Sequence, residues 1–522
     1  MSVREILEPG KNCWDIGEVN QTGLLIDGCA YYRAFHRAAE SAERYILLSG
    51  WQFDSDVALL RGKDAAKAGD AVRLLSFLND LCKRKKRLRV YLLAWNFSVI
   101  YSLDREWFQE WYFNWTTHER LTFCFDHCHA LGASHHQKFA VFDGTLAFVG
   151  GLDLCSGRWD ERDHRPDNPN RVNSDQSTYP PFHDIQSYHR GPIAQRLAEL
   201  FKLRWRIVCG KELELPPRSP NGRIRFKPTV AMNATRVAIS RTQAATKYGN
   251  QESVQEIRRL FLDAIDAAET LIYIENQYFS SEALYRALVR RMMQSSRPRL
   301  EIVMILTKDA DALLEQVSIG IAQVKLIRRL KQVASERGHS LGVYYTASAG
   351  PDGKELPTYI HSKLFLVDDR FLSVGSANMN NRSMGLDSEL NVSWEASPHQ
   401  RALMQSIRRV RATLLAEHTG ATRLAERRAL GRTKGLVDHL NRLAECGSSR
   451  LRHHSMEAIP EYYQWLTTLL PDGLPFDSEE PIFEENVYEG ISDKKDGFFS
   501  KGVTSLKNWL QNMSQGLESH KA

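Results

Sequence analysis

Two copies of one pattern place a histidine, a lysine two positions later and an aspartate five positions after that. The copies are His136, Lys138 and Asp143, and His361, Lys363 and Asp368. A neutral imidazole is a competent nucleophile near pH 7 and an imidazolium is a competent acid, because histidine titrates in that range. The lysines would place positive charge against the nonbridging oxygens of a phosphoryl group. The pattern therefore indicates cleavage of a phosphodiester, in a scheme that requires neither a metal nor a cofactor.

One constant offset of 225 positions relates the two copies. Other matches at this offset are Gly150 with Gly375, Asp153 with Asn378, and Gln52 with Gln277. Two histidines from halves related by a pseudo-twofold axis could approach one phosphorus from opposite sides, as in-line displacement requires. Ser376 and Asn378 would add neutral donors for the substrate. Gln52 and Gln277 end matching strands, so they either line the pocket or close the sheet. The repeat thus predicts one active site built by both halves.

Several longer segments carry a family resemblance. They are HHQKFAVFDGTLAFVGGLDL, GGLDLCSGRWDERDH, PFHDIQ at Pro181–Gln186, IENQYF, and HSKLFLVDDRFLSVGSANMNNRSMGLDSE. Together they resemble the phospholipase D superfamily over about 400 residues, and within it they resemble the true phospholipases D. The resemblance implies the phospholipase D fold, with two α/β/α sandwich repeats and one shared site.

The resemblance also implies roles for the site residues. It makes His136 the residue that becomes a phosphohistidine, and His361 the group that protonates the leaving alcohol and later deprotonates the incoming water or alcohol. From the symmetry of the sequence alone, the two histidines could exchange these roles. In the family a carboxylate downstream of each motif orients the imidazole. We match Glu389 to His361, and Asp184 to His136.

The motif aspartates Asp143 and Asp368 complete the set of candidate catalytic residues. Each follows its lysine at a strand-to-strand turn, and alternation along the strand places it at the far end from the histidine. This position favours a structural role over direct catalysis.

The elements that must position these residues read as alternating strands and helices. Apolar strands are predicted at Tyr45–Leu48 and Leu271–Ile274, and tight turns at Asp143-Gly144 and Asp368-Asp369. Strands alternating with helices favour an α/β fold. A cluster of proline, glycine and basic residues near LELPPRSPNGRIRFKP suggests where the halves join. We assign residues 1–215 to the first repeat, 216–430 to the second, and 431–522 to a helical and acidic extension.

The extension contains a predicted amphipathic helix. Its apolar positions recur three or four residues apart, at Phe499, Val503, Leu506, Leu510, Met513 and Leu517. An acidic stretch precedes it. A helix packed on the protein body is favoured over an interfacial membrane helix, because the basic face is thin.

Composition excludes several classes of protein. The chain is 43% apolar and 25% charged with a net charge of +6, which is typical of globular proteins rather than disordered or fibrous ones. It contains neither a long apolar run nor a recognisable secretory signal. We expect a cytoplasmic, peripherally membrane-associated monomer, with signal-independent secretion left open. Nucleic acid is not an expected partner, because no basic domain with interleaved aromatics is present.

Two local features have alternative interpretations. The stretch from Cys124 to His135 is rich in cysteine and histidine, but its spacing fits no standard pair of zinc-binding knuckles. The basic segment KRKKRLR at 83–89 is either a solvated helix end or a contact for anionic lipid head groups, and the first is favoured.

The function that these observations favour is a phospholipase D acting on phosphatidylcholine-like glycerophospholipids at a membrane surface. It would form phosphatidic acid and a free head group, and an alcohol could replace water in transphosphatidylation. The alternatives are a phosphatidyltransferase resembling cardiolipin or phosphatidylserine synthases, a nuclease or other phosphodiesterase, and a lipid-binding protein without activity. The last is disfavoured because both motifs are intact.

Overall fold

A computed structural model describes residues 5–68, 72–96, 113–217, 226–308, 313–350, 352–455 and 477–481. The predicted amphipathic helix from Phe499 to Leu517 lies outside the described residues, as does most of the acidic stretch before it. Among the described residues, no helix combines the length and apolar character needed to cross a membrane.

In the described residues of the first half, strands alternate with helices. The strands are β1 (Asp15–Glu18), β2 (Gln21–Ile26), β3 (Tyr45–Gly50), β4 (Arg89–Trp95), β5 (Leu121–Asp126), β6 (Phe139–Phe142), β7 (Leu146–Gly150), β8 (Phe182–His183) and β9 (Ile185–Arg190). The helices are α1 (Gly28–Ser41), α2 (Gly62–Ala68), α3 (Leu74–Arg84) and α4 (Ile193–Cys209).

The second half repeats this alternation with additional elements. The strands are β10 (Val230–Met232), β11 (Arg236–Gln243), β12 (Val254–Gln255), β13 (Leu271–Asn276), β14 (Glu301–Leu306), β15 (Ser340–Ala349), β16 (Glu355–Pro357), β17 (Tyr359–Ile360), β18 (Leu364–Val367), β19 (Phe371–Gly375), β20 (Glu389–Glu395) and β21 (Leu451–His453). The helices are α5 (Glu256–Ala267), α6 (Glu282–Met292), α7 (Leu313–Arg337), α8 (Asn381–Gly385), α9 (Arg401–Thr419), α10 (Leu424–Leu430) and α11 (Leu436–Glu445).

Each half builds one large mixed sheet. The first has the strand order β10-β2-β9-β7-β6-β3-β4-β5, and the second has the order β1-β11-β20-β19-β18-β13-β14-β15-β16. Strands β3, β4 and β5 run parallel, as do β13, β14 and β15, while β6 and β18 pair antiparallel with their neighbours. The predicted α/β fold with two related halves is confirmed.

The two sheets exchange their edge strands. β1, from the start of the chain, pairs with β11 of the second sheet, whereas β10, which precedes β11, pairs with β2 of the first sheet. β21 adds to the second sheet beside β15, so part of the segment after residue 430 completes that sheet.

The three large apolar clusters among the described residues hold the layers together. One contains Phe35, Phe77 and Phe148 and packs α1 and α3 on the outer face of the first sheet. A second, which includes Phe261 and Leu288, does the same with α5 and α6 on the second sheet. The largest lies between the sheets and draws residues from both halves. Because burying apolar area drives folding, this shared cluster makes the two halves one cooperative body.

The motif strands end in turns that need a left-handed backbone. Asp143 and Gly144 have φ values of 50° and 61°, and Asp368 and Asp369 have values of 54° and 50°. Two successive positive φ values are typical of the tight hairpin turn, which aspartate and glycine tolerate well. The predicted strands and turns of both repeats are confirmed.

Candidate active site

Each motif histidine is hydrogen-bonded through its backbone to a segment of the other half. The backbone N–H of His136 donates to the carbonyl of Ser388 over 2.9 Å, and that of His361 donates to the carbonyl of His183 over 2.8 Å. In the second case β8 also pairs in parallel with β17, with His183 opposite Ile360. The start of each motif is thereby fixed by the opposite repeat.

Each motif histidine lies beside a carboxylate of the other half. The predicted pairing of Glu389 with His361 and of Asp184 with His136 is therefore wrong. His136 Nδ1 lies 3.1 Å from both carboxylate oxygens of Glu389, and His361 Nδ1 lies 2.6 Å from Asp184 Oδ2. Matching by position within a repeat assigns each carboxylate to its own histidine. In the folded chain each carboxylate instead follows the segment that pairs with the other half's histidine, so the partners are exchanged.

The two carboxylates differ in the number of donors that they accept from. Glu389 also accepts from the hydroxyls of Ser376 (2.5 Å) and Ser383 (2.7 Å). Asp184 accepts from the backbone N–H of Ile185 over 2.7 Å. Hydrogen bonds donated to a carboxylate favour its charged form. The environment of Glu389 is therefore the more favourable one for a carboxylate anion.

The lysines are also inequivalent. Lys138 Nζ lies 3.1 Å from Asp153 Oδ2, which gives it an ionic partner. At the matching position of the second half stands Asn378, and Lys363 Nζ instead contacts the amide oxygen of Gln277 at 3.3 Å. Both lysines donate to the backbone carbonyl of their motif histidine. The positive charge of Lys363 is thus the less neutralised of the two.

Burial and positive charge keep both imidazoles neutral. The pKa of His136 is well below its usual range, because the ring is buried and lies near Lys138 and Lys363. The pKa of His361 is lowered in the same way by burial, by Lys363 and by Arg158. Mutual influence of this kind requires that the two motifs lie close together.

Three further groups of the site, Asp184, Glu389 and Lys363, have pKa values shifted toward their neutral forms. Burial raises the pKa of Asp184 to about 7, against the opposing charge of Lys363. Burial also raises the pKa of Glu389 to about 7, against the hydrogen bonds from Ser376 and Ser383. Burial lowers the pKa of Lys363 to about 7. Groups that titrate near pH 7 at one buried point are typical of acid–base sites.

Three of the four predicted substrate contacts have other partners. Ser376 is buried and donates its single hydroxyl proton to Glu389, so its predicted role as a direct donor to substrate is wrong. Gln52 Nε2 donates to Asp54 over 2.8 Å, unlike Gln277, which contacts Lys363. Asn378 is 7% exposed and its side-chain oxygen makes no hydrogen bond. The side-chain N–H groups of Gln277 donate to the hydroxyls of Tyr278 and Tyr359 over 2.7 Å each. Asn378 is therefore the remaining neutral candidate for substrate binding.

The motif aspartates cap the starts of the strands that precede each motif. Asp143 accepts from the backbone N–H groups of Glu43, Arg44 and Tyr45 over 2.8 Å each. Asp368 does the same for the backbone from 269 to 271, over 2.6 to 2.8 Å. These contacts lie at the ends of β6 and β18 remote from the histidines, which is the structural position that the sequence favoured.

Sequence reasoning missed Ser383 and Arg158. Ser383 lies five residues beyond Asn378. Its role becomes visible only in the folded chain, where its hydroxyl donates to Glu389. The guanidinium carbon of Arg158 lies 4.9 Å from the centre of the Phe182 ring, which is itself 5.4 Å from the His361 ring. Arg158 belongs to GRWD, within the family-like segment GGLDLCSGRWDERDH, and that position was the only sequence signal for it. The guanidinium adds a third positive charge beside the two lysines.

The basic segment and the cysteine-rich stretch have local partners. Arg84 pairs with Asp80 and Glu40, and Lys85 donates to two backbone carbonyls at the end of α1. Cys124 Sγ lies 3.3 Å from Cys209 Sγ. Neither of the ligand-spaced groups found in the described part of the chain includes a cysteine of the stretch.

Two family profiles match the chain. A family profile described as phospholipase D matches residues 38–304, just over half of the chain. The chain belongs to the phospholipase D superfamily. A second profile, described as cardiolipin synthase, PLD-like domain, matches residues 261–411. The predicted superfamily membership is confirmed, and the two profiles together include both motifs.

Individual relatives of this superfamily member are distant. The chain is 23% identical to phospholipase D1 of Saccharomyces cerevisiae over 71% of its own length and 26% of the yeast protein. It is 25% identical to phospholipase D alpha 2 of rice, Oryza sativa subsp. japonica, over 70% of its length and 61% of that protein. The chain thus spans between about a quarter and three fifths of these curated relatives.

A solved structure shares the fold. Phosphatidylserine synthase from Haemophilus influenzae superposes with a TM-score of 0.51 at 15% identity, over 83% of this chain and 95% of the synthase. The chain therefore has the same fold as that synthase, which agrees with the predicted phospholipase D fold.

Proposed function

We propose that the chain is a phospholipase D that hydrolyses glycerophospholipids such as phosphatidylcholine to phosphatidic acid and a free head group. The observation that carries the proposal is the crossed pair of histidine–carboxylate contacts, in which each repeat supplies one imidazole and the carboxylate for the other. Two oriented imidazoles and two lysines provide a nucleophile, an acid and positive charge for one phosphodiester.

His136 is the proposed nucleophile. Its Nδ1 faces both oxygens of Glu389, which accepts two further hydrogen bonds and is the better stabilised carboxylate. Donation of Nδ1–H to Glu389 leaves the lone pair on Nε2 free to attack phosphorus. The positive charges that keep this ring neutral preserve the same lone pair.

His361 and Asp184 together are the proposed acid. A contact of 2.6 Å between His361 Nδ1 and Asp184 Oδ2, with the pKa of Asp184 raised to about 7, lets the pair hold one proton between the two groups. With that proton at the carboxyl side, neutral His361 carries its own proton on Nε2. The pair can therefore donate from Nε2 even though an isolated imidazolium is disfavoured at this position.

The reaction then proceeds in two balanced steps. His136 Nε2 forms a bond to phosphorus, the bond from phosphorus to the head-group oxygen breaks, and that oxygen takes the proton from His361 Nε2. Water next gives a proton to His361 and attacks phosphorus, and the P–N bond to His136 breaks. An alcohol in place of water gives transphosphatidylation. Lys138, Lys363 and the donor Asn378 stabilise the nonbridging oxygens.

The relatives support the proposed substrate class, because a phosphodiester site by itself does not specify what the phosphate links. Relatives named phospholipase D favour a phospholipid as the substrate. We propose that the chain acts on it at a membrane surface, as a peripheral protein. Both motifs reside in one chain, so we propose a monomer with no second copy needed. A phosphatidyltransferase in the manner of the cardiolipin synthase profile would use the same intermediate with a lipid alcohol as acceptor.

A product survey tests the proposal. The full chain is incubated with mixed phospholipid vesicles, with and without ethanol, and products are identified by mass spectrometry. Phosphatidic acid, and phosphatidylethanol when ethanol is present, are expected. His136→Ala and His361→Ala should abolish both products, whereas His453→Gln, on a half-exposed ring at the end of β21, should not.

Other outcomes would point elsewhere. Neither product from any phospholipid, together with degradation of plasmid DNA in EDTA, would replace the lipid assignment with a nuclease. Transfer to a lipid alcohol with no phosphatidic acid would favour the phosphatidyltransferase.

A further inference from the structure

A closed group of two histidines and two carboxylates lies between the two halves, behind the proposed active site. It consists of Asp27, His164, His183 and Glu417, whose exposed fractions are 4% or less. Asp27 precedes α1, His164 lies in the connection from β7 to β8, and His183 ends β8. Glu417 is supplied by α9 of the second half. The group therefore joins both repeats at one point.

The ligand-type atoms converge at metal-like spacing. His183 Nδ1 lies 2.9 Å from Asp27 Oδ1 and 2.8 Å from Glu417 Oε1. His164 Nε2 lies 3.2 Å from the same Glu417 oxygen and 3.8 Å from Asp27 Oδ2. A tetrahedral ion with bonds of about 2.0–2.1 Å places its ligands about 3.3 Å apart. The observed separations bracket that value.

The outer nitrogen of each ring also contacts a carboxylate. His164 Nδ1 lies 2.9 Å from Asp160 Oδ2, and His183 Nε2 lies 3.1 Å from Glu275 Oε2. Histidines that bind metals almost always donate their second ring N–H to a carboxylate, a carbonyl or water, which fixes the ring orientation. Both rings of the group have this partner.

Hydrogen bonds alone leave the centre of the group incomplete. Asp27 Oδ2 has no hydrogen-bond partner, and the two short contacts of His183 Nδ1 are not aligned as hydrogen bonds. A neutral imidazole has one N–H, yet both nitrogens of both rings face carboxylates. The group thus needs either two additional buried protons or one cation at its centre.

The backbone at two members of the group is held in an uncommon conformation. Asp27 has φ 67° and ψ 160°, and His164 has φ 45°. Such conformations cost about 1–3 kcal/mol each and persist where the surroundings impose them, commonly at functional sites.

We propose that Asp27, His164, His183 and Glu417 bind a divalent transition-metal ion, with zinc as the expected occupant. Two imidazole nitrogens and two carboxylate oxygens suit zinc, whereas calcium and magnesium prefer oxygen ligands alone. Four protein ligands in a buried site leave no position for substrate, so the ion has a structural role. It joins the halves behind the active site and is separate from the phosphodiester chemistry.

The proposed ion also supports the general acid. His183 directly precedes Asp184, and its carbonyl accepts the hydrogen bond from the backbone of His361. Fixing the His183 ring therefore fixes the segment that carries Asp184 against His361. The proposal does not depend on which phosphodiester the enzyme cleaves.

Metal analysis of the full chain tests the proposal. The protein is expressed with zinc supplied, purified without chelator, and its metal content is measured by plasma mass spectrometry. A second sample is unfolded with EDTA and refolded with zinc or cobalt alone. One zinc per chain is expected, together with a higher melting temperature in zinc and the visible absorption of tetrahedral cobalt.

Matched variants locate the ion. His164→Gln and Glu417→Gln should bind no zinc and should show no cobalt absorption. His189→Gln is the control, since His189 is equally buried but its ring contacts the hydroxyls of Thr22 and Ser187, outside the group. That variant should retain one zinc per chain even with a lower melting temperature.

Two results would overturn the proposal. Substoichiometric zinc in both wild-type preparations, with no cobalt absorption, would mean that protonated histidines hold the carboxylates instead. Full zinc binding by His164→Gln and Glu417→Gln would place the ion elsewhere.

Discussion

His361 contacts the carboxylate of Asp184, which lies in the other repeat, at 2.6 Å. Glu389 and His136 form the reciprocal contact across the halves. The two repeats therefore do not hold two sites. Each completes the imidazole of the other, so substitutions that act on one half should affect the chemistry of both.

Replacing each carboxyl group by an amide should separate the roles of Asp184 and Glu389. Asp184→Asn and Glu389→Gln should each lower kcat on a natural phospholipid by about 10²–10⁴-fold. On a lipid analogue with a nitrophenolate leaving group, which needs no proton, Asp184→Asn should recover most of its first-step rate and Glu389→Gln should not. Stopped-flow release of nitrophenolate measures this difference.

Asp369→Asn is the control for this pair, because Asp369 is bonded to Arg411 on α9 and should leave both rates unchanged. Recovery by Glu389→Gln instead of Asp184→Asn would show that the histidine roles are reversed.

Substitution of a motif aspartate should affect stability rather than turnover. Asp143→Ala removes the acceptor for three backbone N–H groups and places alanine at φ 50°. We expect the free energy of unfolding to fall by about 2–4 kcal/mol. Denaturant titration gives this value, and kcat of the folded fraction should stay within a factor of about three. A large loss of kcat at full stability would assign Asp143 to catalysis.

The pH dependence of kcat/KM should be bell-shaped with a maximum close to pH 7. Below about pH 7 Glu389 becomes protonated and no longer holds His136 through Nδ1–H, so activity falls with decreasing pH. Above about pH 7 the Asp184–His361 pair loses its proton and Lys363 loses its charge, so activity falls with increasing pH. Steady-state rates over a pH series test both limbs.

Two variants identify the groups whose titration causes the acid and alkaline limbs of the pH profile. Glu389→Gln should lack the acid limb in its residual activity. Lys363→Arg, which keeps its charge at high pH, should retain only the part of the alkaline limb due to the Asp184–His361 pair. A profile that is flat from acid pH through pH 8 would contradict these assignments.

The hydroxyl of Ser376 should lower the pKa of Glu389. Its hydrogen bond lowers the pKa of Glu389 against the effect of burial, so Ser376→Ala should raise that pKa and move the acid limb to higher pH. The rate at pH 7 should fall about tenfold. Ser373→Ala, which removes a buried hydroxyl bonded to Asn391, is the matched control and should leave the limb in place. If the acid limb of Ser376→Ala lies at the wild-type pH, the hydroxyl of Ser376 does not set the pKa of Glu389.

The strands and turns of each repeat could be predicted because they depend on local patterns. The apolar runs at β3 and β13 and the aspartate turns after β6 and β18 are short-range signals, and all lie where the sequence places them. The constant offset of 225 positions matches each residue of the first motif with its counterpart in the second.

The exchange between repeats could not be predicted from those signals. The strand partners Gly150 and Gln186 are 36 positions apart, but their counterparts Gly375 and Asn391 are 16 apart. The longer connection in the first half disrupts the alignment beyond the motif. Which half supplies a carboxylate depends on long-range pairs such as His183 with Ile360, which leave no local pattern.

Ser376 illustrates the same limit at a single residue. Its type and position suit a donor to phosphate, and only the folded position of Glu389 shows that the hydroxyl proton is already used. The group around Asp27 and Glu417 is equally hidden, since its members lie far apart in sequence.

Trapping the covalent intermediate shows whether one site, with His136 as its nucleophile, serves both repeats. His361→Ala is mixed with the nitrophenyl lipid analogue, quenched within one turnover under alkaline conditions, digested, and mapped by mass spectrometry. We expect a phosphatidyl adduct on the peptide containing His136, in a burst approaching one per chain, because the variant lacks the base for the second step. Steady turnover without an adduct, or an adduct on His361 in His136→Ala, would contradict it.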